Sequence, residues 1–263
     1  MKKLNKISSY LRLLYKAGLK NSLKYFYSQK ISENWRLIYS SRFGYKFVPF
    51  SEIGFFWLAG LKEPKTVSWF NRNITNYNLF INVGAGWGEY ALMALTKHVP
   101  TLIFEPNPRL NRIIHFNLSL NSYRENIDYW LFSCAVGTPK RRERFIIQNP
   151  EGTSHLESYG RRKFEKLASI EVNVIPLSEF KHLMQDYDDV LFLIDAEGAE
   201  AEVVKSVPER VRCRADFIIE STEDQIKYLN VLLKGKRKYK LEDNPSQKNL
   251  GNYVWVRKSR LKR

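Results

Sequence analysis

Phe80-Ile-Asn-Val-Gly-Ala-Gly-Trp-Gly-Glu-Tyr90 decides the fold, together with Phe104-Glu-Pro-Asn-Pro108 downstream of it. The run from Tyr77 to Val83 is apolar and aromatic enough for a buried strand over 78–83. Gly84, Gly86 and Gly88 then turn it into a helical pattern over 88–97. A second apolar strand, Thr101 to Phe104, ends in Glu105, with Pro106 beside it. A glycine turn at the carboxyl end of one strand, with a carboxylate at the end of the next, is how an open α/β sheet holds a nucleoside. The glycines admit the ligand close to the backbone, and the carboxylate accepts both ribose hydroxyls.

Spacing narrows the nucleoside. A dinucleotide fingerprint, G-x-G-x-x-G, would place its third glycine at position 89, where this chain has Glu89. The G-x-G-x-G spacing fits S-adenosylmethionine instead, which brings no pyrophosphate to a helix N-terminus. Asn82, Gly84, Ala85, Gly86 and Gly88 are then the loop side of the donor site, and Glu105 with Pro106 the ribose side.

Further along, Val190-Leu-Phe-Leu-Ile-Asp-Ala-Glu-Gly-Ala-Glu200 forms another buried strand that ends in an acidic turn before a helix. With this run the chain resembles the FkbM family of S-adenosylmethionine-dependent methyltransferases. The segments that carry the resemblance, in family order, are INVGAGWGEY at 81–90, FEPNP at 104–108 and the Asn117/Asn121 helix end. They continue with CAVG at 134–137, GTSHL at 152–156, VIPLSEF at 174–180, LIDAEGAEAEVV at 193–204 and FIIE at 217–220. The resemblance covers about 78 to 220. It implies a Rossmann-like class I methyltransferase fold, a mostly parallel seven-stranded sheet with helices on both faces, and S-adenosylmethionine as cofactor. Asn82 stands where the family usually has Asp, and Gly86 where it has Asn. The resemblance also places Ser133 and Ala135 beside the adenine and the Gly152–Leu156 loop, with His155, near the active site. Members often modify sugars, glycans or small metabolites, so the implied acceptor bears a hydroxyl, with a saccharide or glycolipid leading.

Methyl transfer is an in-line displacement at an activated sulfonium, so alignment is the main task. A hydroxyl acceptor must also lose its proton, which calls for a base. Asp195 and Glu197 lie at the carboxyl end of a central strand, where ligands bind in open α/β sheets. Either is read as that base, as a donor-orienting group, or as a metal ligand together with Glu220. No metal is implied by the sequence otherwise. Glu200 and Glu202, in the first turn of the next helix, are read as helix-terminus acids. His155 is the other candidate base, against its being a solvated loop residue.

The expected elements continue with helix 108–120, strand 127–135, and a hairpin in which Gly137-Thr-Pro139 turns into strand 144–148. Then come a polar loop over 149–169 with Arg161-Arg-Lys163, strand 170–176, helix 178–185, strand 189–194, helix 199–206 and strand 215–220. Helix 222–234 and a closing pair near 237–242 and 252–257 end the sheet. Residues 1–77 are read as a basic helical extension followed by an aromatic-rich accessory region, and 78–263 as the catalytic domain. Trp35, Phe47, Phe50, Phe55, Phe56, Trp57, Trp69 and Phe70 either cap the substrate or merely cover the sheet.

The 263 residues and 44% apolar content suit a full α/β core. Cys134 and Cys213 stand far apart with no C-x-x-C, so neither a disulfide framework nor a zinc site is suggested. With no long apolar run, a cytoplasmic enzyme is expected. The net charge of +16 sits at the ends. Residues 1–30 carry eight Lys/Arg and no acid, residues 231–263 carry +9, and 31–230 are left at −1. Leu4, Ile7, Leu11, Leu14, Leu19, Leu23 and Phe26 near helical spacing suggest an interfacial helix on an anionic membrane, against plain solvation. Two rivals stay open: an RNA methyltransferase that uses the basic ends, and a non-catalytic binding module that kept the fold and lost the donor, which Asn82 motivates.

Overall fold

The computed structural model describes residues 38–48, 62–149, 153–159, 165–244 and 249–259. The expected helix within 1–30, Trp35, Phe50, Phe55, Phe56, Trp57, Gly152 and Arg161-Arg-Lys163 lie outside them. In chain order the elements begin with a short hairpin of β1 (Tyr39–Ser40) and β2 (Lys46–Phe47), helix α1 (Pro64–Asn73), and β3 (Leu79–Val83). There follow α2 (Glu89–Leu95), β4 (Thr101–Phe104), α3 (Pro108–Ser119), β5 (Tyr129–Phe132), β6 (Ala135–Val136), β7 (Arg141–Asn149), β8 (His155–Leu156) and β9 (Glu165–Ile175). The chain closes with β10 (Val190–Ile194), α4 (Glu200–Ser206), α5 (Glu209–Arg214), β11 (Ala215–Thr222), α6 (Glu223–Leu232), β12 (Lys236–Asp243) and β13 (Leu250–Arg257).

Seven strands form the main sheet in the order β12-β13-β11-β10-β3-β4-β5. Within it, β13 alone runs antiparallel to its neighbours. All five residues of β3 and all five of β10 are buried. Helices cover both faces, so these strands read as unbroken apolar runs instead of alternating ones. Alternate residues serve opposite cores. Phe80, Leu191 and Leu193 pack with α1, α2 and α3, whereas Leu79, Ile81, Val83 and Phe192 pack with α4, α5 and α6. After β3 the chain moves outward to β4 and β5, then crosses back to β10 on the other side of β3. The resulting crevice at the carboxyl ends of β3 and β10 is where such sheets bind ligands.

The described part of the accessory region packs directly against the sheet's core. Phe70 of α1 is fully buried, 4.9 Å from the Phe80 ring and 5.0 Å from Tyr90, in edge-to-face contact. The hairpin is tied to the end of α3 by the two asparagines of the family pattern. Asn117 Oδ1 accepts the Val48 N–H at 2.9 Å, and Asn121 Oδ1 accepts the Lys46 N–H at 2.7 Å.

The expected strand 127–135 breaks in two. β5 stays in the main sheet, whereas β6 leaves it and joins a second, four-stranded sheet in the order β6-β9-β7-β8. Gly137-Thr-Pro139 therefore connects two strands that both pair with β9, and the hairpin is β7 with β9. The expected polar loop is shortened accordingly, because it holds β8 and the start of β9. The segment Leu177–Leu183 is 3-10 helix, and α5 appears where no helix was expected. Glu202 fastens the second sheet to α4. It accepts from Arg141 Nη1 at 2.6 Å, from the Thr138 N–H at 2.7 Å and from the Tyr159 hydroxyl. This is a wider role than the helix-terminus acid expected of it.

Candidate functional site

The turn after β3 is held from both sides. The Gly84 N–H donates to the Phe104 carbonyl at 3.0 Å, and the Asp195 N–H donates to the Val83 carbonyl at 3.0 Å. Gly84 has φ +74°, and a Cβ there would lie 1.8 Å from the Asp195 carbonyl oxygen, so no other residue fits. Gly86, at φ +58°, has no such crowding. Asn tolerates this left-handed conformation, which accounts for the Asn the resemblance expects there.

Glu105 closes the other side. Its Oε2 accepts the Gly86 N–H at 3.1 Å and its Oε1 the Asn107 N–H at 2.9 Å. Asn107 then caps α3 by accepting the Arg109 N–H at 3.0 Å, with Pro108 in the first helical position. The FEPNP segment thus ends a strand, presents the acid and starts a helix within five residues.

A cleft opens above this turn. It is lined by Asn82, Gly84, Ala85, Gly86, Glu105, Pro106, Ala135, Asp195 and Glu197 of the expected site. Gly88, Ser133 and His155 do not line it. Gly88 caps α2 instead, with its α-carbon packed beside Ile114. Ser133 is exposed, and its hydroxyl accepts from Asn111 Nδ2 at 3.1 Å. His155 is buried, with Nδ1 3.2 Å from the Thr153 carbonyl, while its neighbours Ser154 and Leu156 face the cleft. It is therefore neither a cleft base nor a solvated loop residue; strand alternation turns its ring away.

The face of the sheet toward α1 and α2 gathers carboxylates. Asp195, Glu197 and Glu220 bring one oxygen each within 4.8 Å of one another. Glu197 is held at φ +47°, a conformation uncommon for a side-chain-bearing residue. Glu220 Oε1 accepts from Asn244 Nδ2 at 2.8 Å. Glu200, fully buried, accepts the Gly198 N–H at 2.9 Å, which fits the helix-terminus role expected of it. Burial, then the charges of Glu220 and Glu197, push the Asp195 carboxyl well above the usual carboxylate range. Burial likewise pushes Glu89 up to about 7, against its own backbone N–H and the charge of Lys62. Burial works against the Lys62 charge, yet Glu63, Asp195, Glu89 and Glu220 outweigh it and hold the ammonium above the ordinary lysine range.

Sequence reasoning did not find Lys62, Glu63 or Glu89 as site residues. Glu89 left a signal, since it is the one acid in a helix whose seven residues are all buried. Lys62 and Glu63 left none, because nothing in their local pattern links them to strands beyond position 78. Cys134 also lines the cleft, and burial pushes its thiol up to about 12, which makes it an inert wall residue.

Several buried oxygens and nitrogens at this site have no hydrogen-bond partner among the described residues, including Asn82 Oδ1, Glu89 Oε1, Asp195 Oδ1 and Asn107 Nδ2. Buried polar atoms are almost always satisfied. The first three line the cleft and fit a ligand that carries its own donors and positive charge, as S-adenosylmethionine does with its ammonium and sulfonium. Asn82, 1% exposed, offers an amide oxygen where the resemblance expects a carboxylate.

The family model described as the methyltransferase FkbM domain matches residues 78–241. No curated protein matches the chain. Similar solved structures include a SAM-dependent methyltransferase from Agrobacterium tumefaciens, at 8% identity over 87% of this chain and 72% of that one, with a TM-score of 0.49. Another is the precorrin-6y C5,15-methyltransferase of Geobacter metallireducens GS-15, at 14% identity over 74% and 88%, with a TM-score of 0.43. A third is a ribosomal protein L11 methylase from Lactobacillus delbrueckii subsp. bulgaricus, at 12% identity over 73% and 79%, also at 0.43. These likenesses carry no information on the acceptor.

Proposed function

Because this chain belongs to the methyltransferase FkbM family and takes S-adenosylmethionine as its methyl donor, we propose that it methylates a hydroxyl oxygen on a saccharide, glycolipid or small metabolite. The observation that carries the acceptor class is the Asp195 carboxylate, whose Oδ1 has no partner among the described residues at the mouth of the glycine turn. A hydroxyl acceptor needs a base beside the donor, and a carboxyl raised above its usual range is a stronger base than an exposed one. Bound S-adenosylmethionine supplies the electrophilic methyl. The chain's own part is to fix the ribose with Glu105, line the donor with the 84–88 turn and receive the acceptor's proton on Asp195 or Glu197.

Six carboxylates line the cleft against one lysine, Lys62, among the described residues. A phosphodiester backbone would be repelled from such a cleft, which supports a sugar or metabolite over RNA. Contact with an anionic membrane through the basic ends, and a cytoplasmic enzyme working at such a face, complete the proposal. Among the described residues no helix is long and apolar enough to cross a membrane.

The test is transfer of a radiolabelled methyl group from S-adenosylmethionine to a panel of saccharides, glycolipids, small hydroxylated metabolites and transcribed RNA. Label in a hydroxyl-bearing acceptor, lost in Asp195→Asn, supports the reading. Label confined to RNA replaces it with the nucleic-acid reading. No transfer to any acceptor, together with no binding of S-adenosylmethionine by the folded chain, would reduce the chain to a binding module.

A further inference from the structure

S-adenosylmethionine is a zwitterion at its amino-acid end, and the oxygens of Asn82, Glu89 and Asp195 suit only the cationic half of it. The donor's carboxylate is bonded to the same carbon as its ammonium, so it enters a cleft lined by six carboxylates. A carboxylate taken out of water needs a cation or N–H donors of its own. The glycine turn has little backbone left to offer. The Gly84 N–H is committed to the Phe104 carbonyl, the Gly86 N–H to Glu105 and the Gly88 N–H to the Ala85 carbonyl at 2.9 Å. The Trp87 and Glu89 N–H groups serve the Glu89 carboxylate.

Lys62 is the single cationic side chain that lines the cleft among the described residues. It is fixed from the side of the turn. Tyr90, one residue beyond Glu89, donates its hydroxyl to Glu63 Oε2 at 3.0 Å, and Lys62 Nζ lies 3.4 Å from Glu63 Oε1. Glu63 itself is held at φ +48°, where it caps the start of α1. A lysine ammonium has three donors, so the ion pair with Glu63 leaves Lys62 able to take a second carboxylate. Glu89 and Asp195 both act on its charge, which sets Lys62 beside the groups that suit the donor's ammonium.

We propose that Lys62 binds the carboxylate of the donor's methionine moiety, with Tyr90 and Glu63 holding the lysine in place. The inference rests on S-adenosylmethionine as the donor and is independent of the acceptor class. Lys62 lies before residues 78–241, which the family model matches, so the family pattern does not assign it. A charge-assisted contact at this point fixes the amino-acid end of the donor, as Glu105 fixes the ribose end, and so aligns the sulfonium methyl between them.

The full chain, Lys62→Met and Lys62→Gln are titrated calorimetrically with S-adenosylmethionine and with its decarboxylated form. The second ligand keeps the sulfonium and the ammonium and lacks only the carboxylate. Both variants should bind S-adenosylmethionine about tenfold to a hundredfold more weakly than wild type. They should bind the decarboxylated form at least as tightly as wild type does, since no anion is left for Lys62 to hold. Circular dichroism melting checks that both variants are folded. Equal losses for the two ligands would overturn the inference, because Lys62 would then shape the cleft without reading the carboxylate. Unchanged affinity for S-adenosylmethionine in both variants, with wild type binding it, would overturn it too and place the carboxylate on another group. Wild type that binds neither ligand would sink the donor reading itself, and the inference with it.

Discussion

Glu105 is the residue whose role the sequence made most legible, because a lone acid that ends an apolar strand has few other reasons to be there. Its carboxylate accepts two main-chain N–H groups from opposite sides, so it shapes the turn at the place where we propose the donor's ribose lies. Hydrogen bonds to a charged group contribute about 1.5–3 kcal/mol each. Glu105→Ala should therefore weaken S-adenosylhomocysteine binding roughly tenfold to a hundredfold in a calorimetric titration. Unchanged affinity would place the donor elsewhere. Glu89 shows what the sequence hid. Its pattern says buried helix, and only the fold reveals that its carboxyl faces the cleft at 5% exposure. The pH dependence follows from its upward shift from 4.5 to about 7. Below 4.5 the carboxyl is protonated both folded and unfolded and costs nothing. Between 4.5 and 7 the folded chain keeps a proton that the unfolded chain loses, and above 7 the ion itself is buried. The penalty thus grows through that window and reaches roughly 3 kcal/mol above it. Glu89→Gln should raise the melting temperature at pH 8 and leave it nearly unchanged at pH 4.5. An equal shift at both values would mean the carboxyl is not held protonated.

At the scale of elements, burial on both faces is what made the chain readable. β3, β4, β10 and β11 announce themselves as apolar runs, and the glycine turn and the acidic turn locate their carboxyl ends. The second sheet was legible only in part, since the expected strands 144–148 and 170–176 fall on β7 and β9 but the rest did not show. Residues Glu165–Ser169 of β9 are all exposed, so no alternation marks the strand, and β6 and β8 are two residues each. The pairing of β7 with β9 extends both strands past their expected ends and joins them. What attaches this sheet is polar: Glu202 of α4 meets Arg141, Tyr159 and the Thr138 N–H across the join. The side chains of Glu202 and Arg141 are 9% and 26% exposed. Removing one partner strands the other in a partly dry site. Arg141 keeps Glu143 at 2.7 Å, so Glu202→Ala should cost about 2–4 kcal/mol by urea denaturation. A loss no larger than that of a surface ion pair would show that the second sheet docks through its apolar contacts alone.

Over the whole molecule the +16 charge and the acidic cleft have to be reconciled. Part of the basic C-terminal stretch is built into the sheet. Lys236, Arg237, Lys238 and Lys240 lie on β12, the outermost strand, where lysines discourage edge-to-edge pairing of chains. Lys236 Nζ donates to the Ala215 carbonyl at 2.6 Å, and Arg257 meets Asp189 and Asp216 at 2.7 and 3.2 Å. These cations have structural employment, which weakens the C-terminal half of the membrane argument. The N-terminal half stands on sequence alone: eight Lys/Arg without an acid, interleaved with Leu, Ile and Phe near helical spacing. Each basic residue near an anionic surface contributes about 1 kcal/mol, and the attraction decays within a Debye length of about 8 Å at physiological salt. Deleting residues 1–30 should therefore lower binding to phosphatidylserine vesicles by more than about tenfold and flatten its dependence on salt. The affinity for S-adenosylhomocysteine should stay the same, since among the described residues the donor cleft is lined from Lys62 onward. Vesicle binding that survives the deletion would assign the contact to the β12 edge. Donor affinity lost with the segment would make it part of the catalytic body instead of an anchor for it.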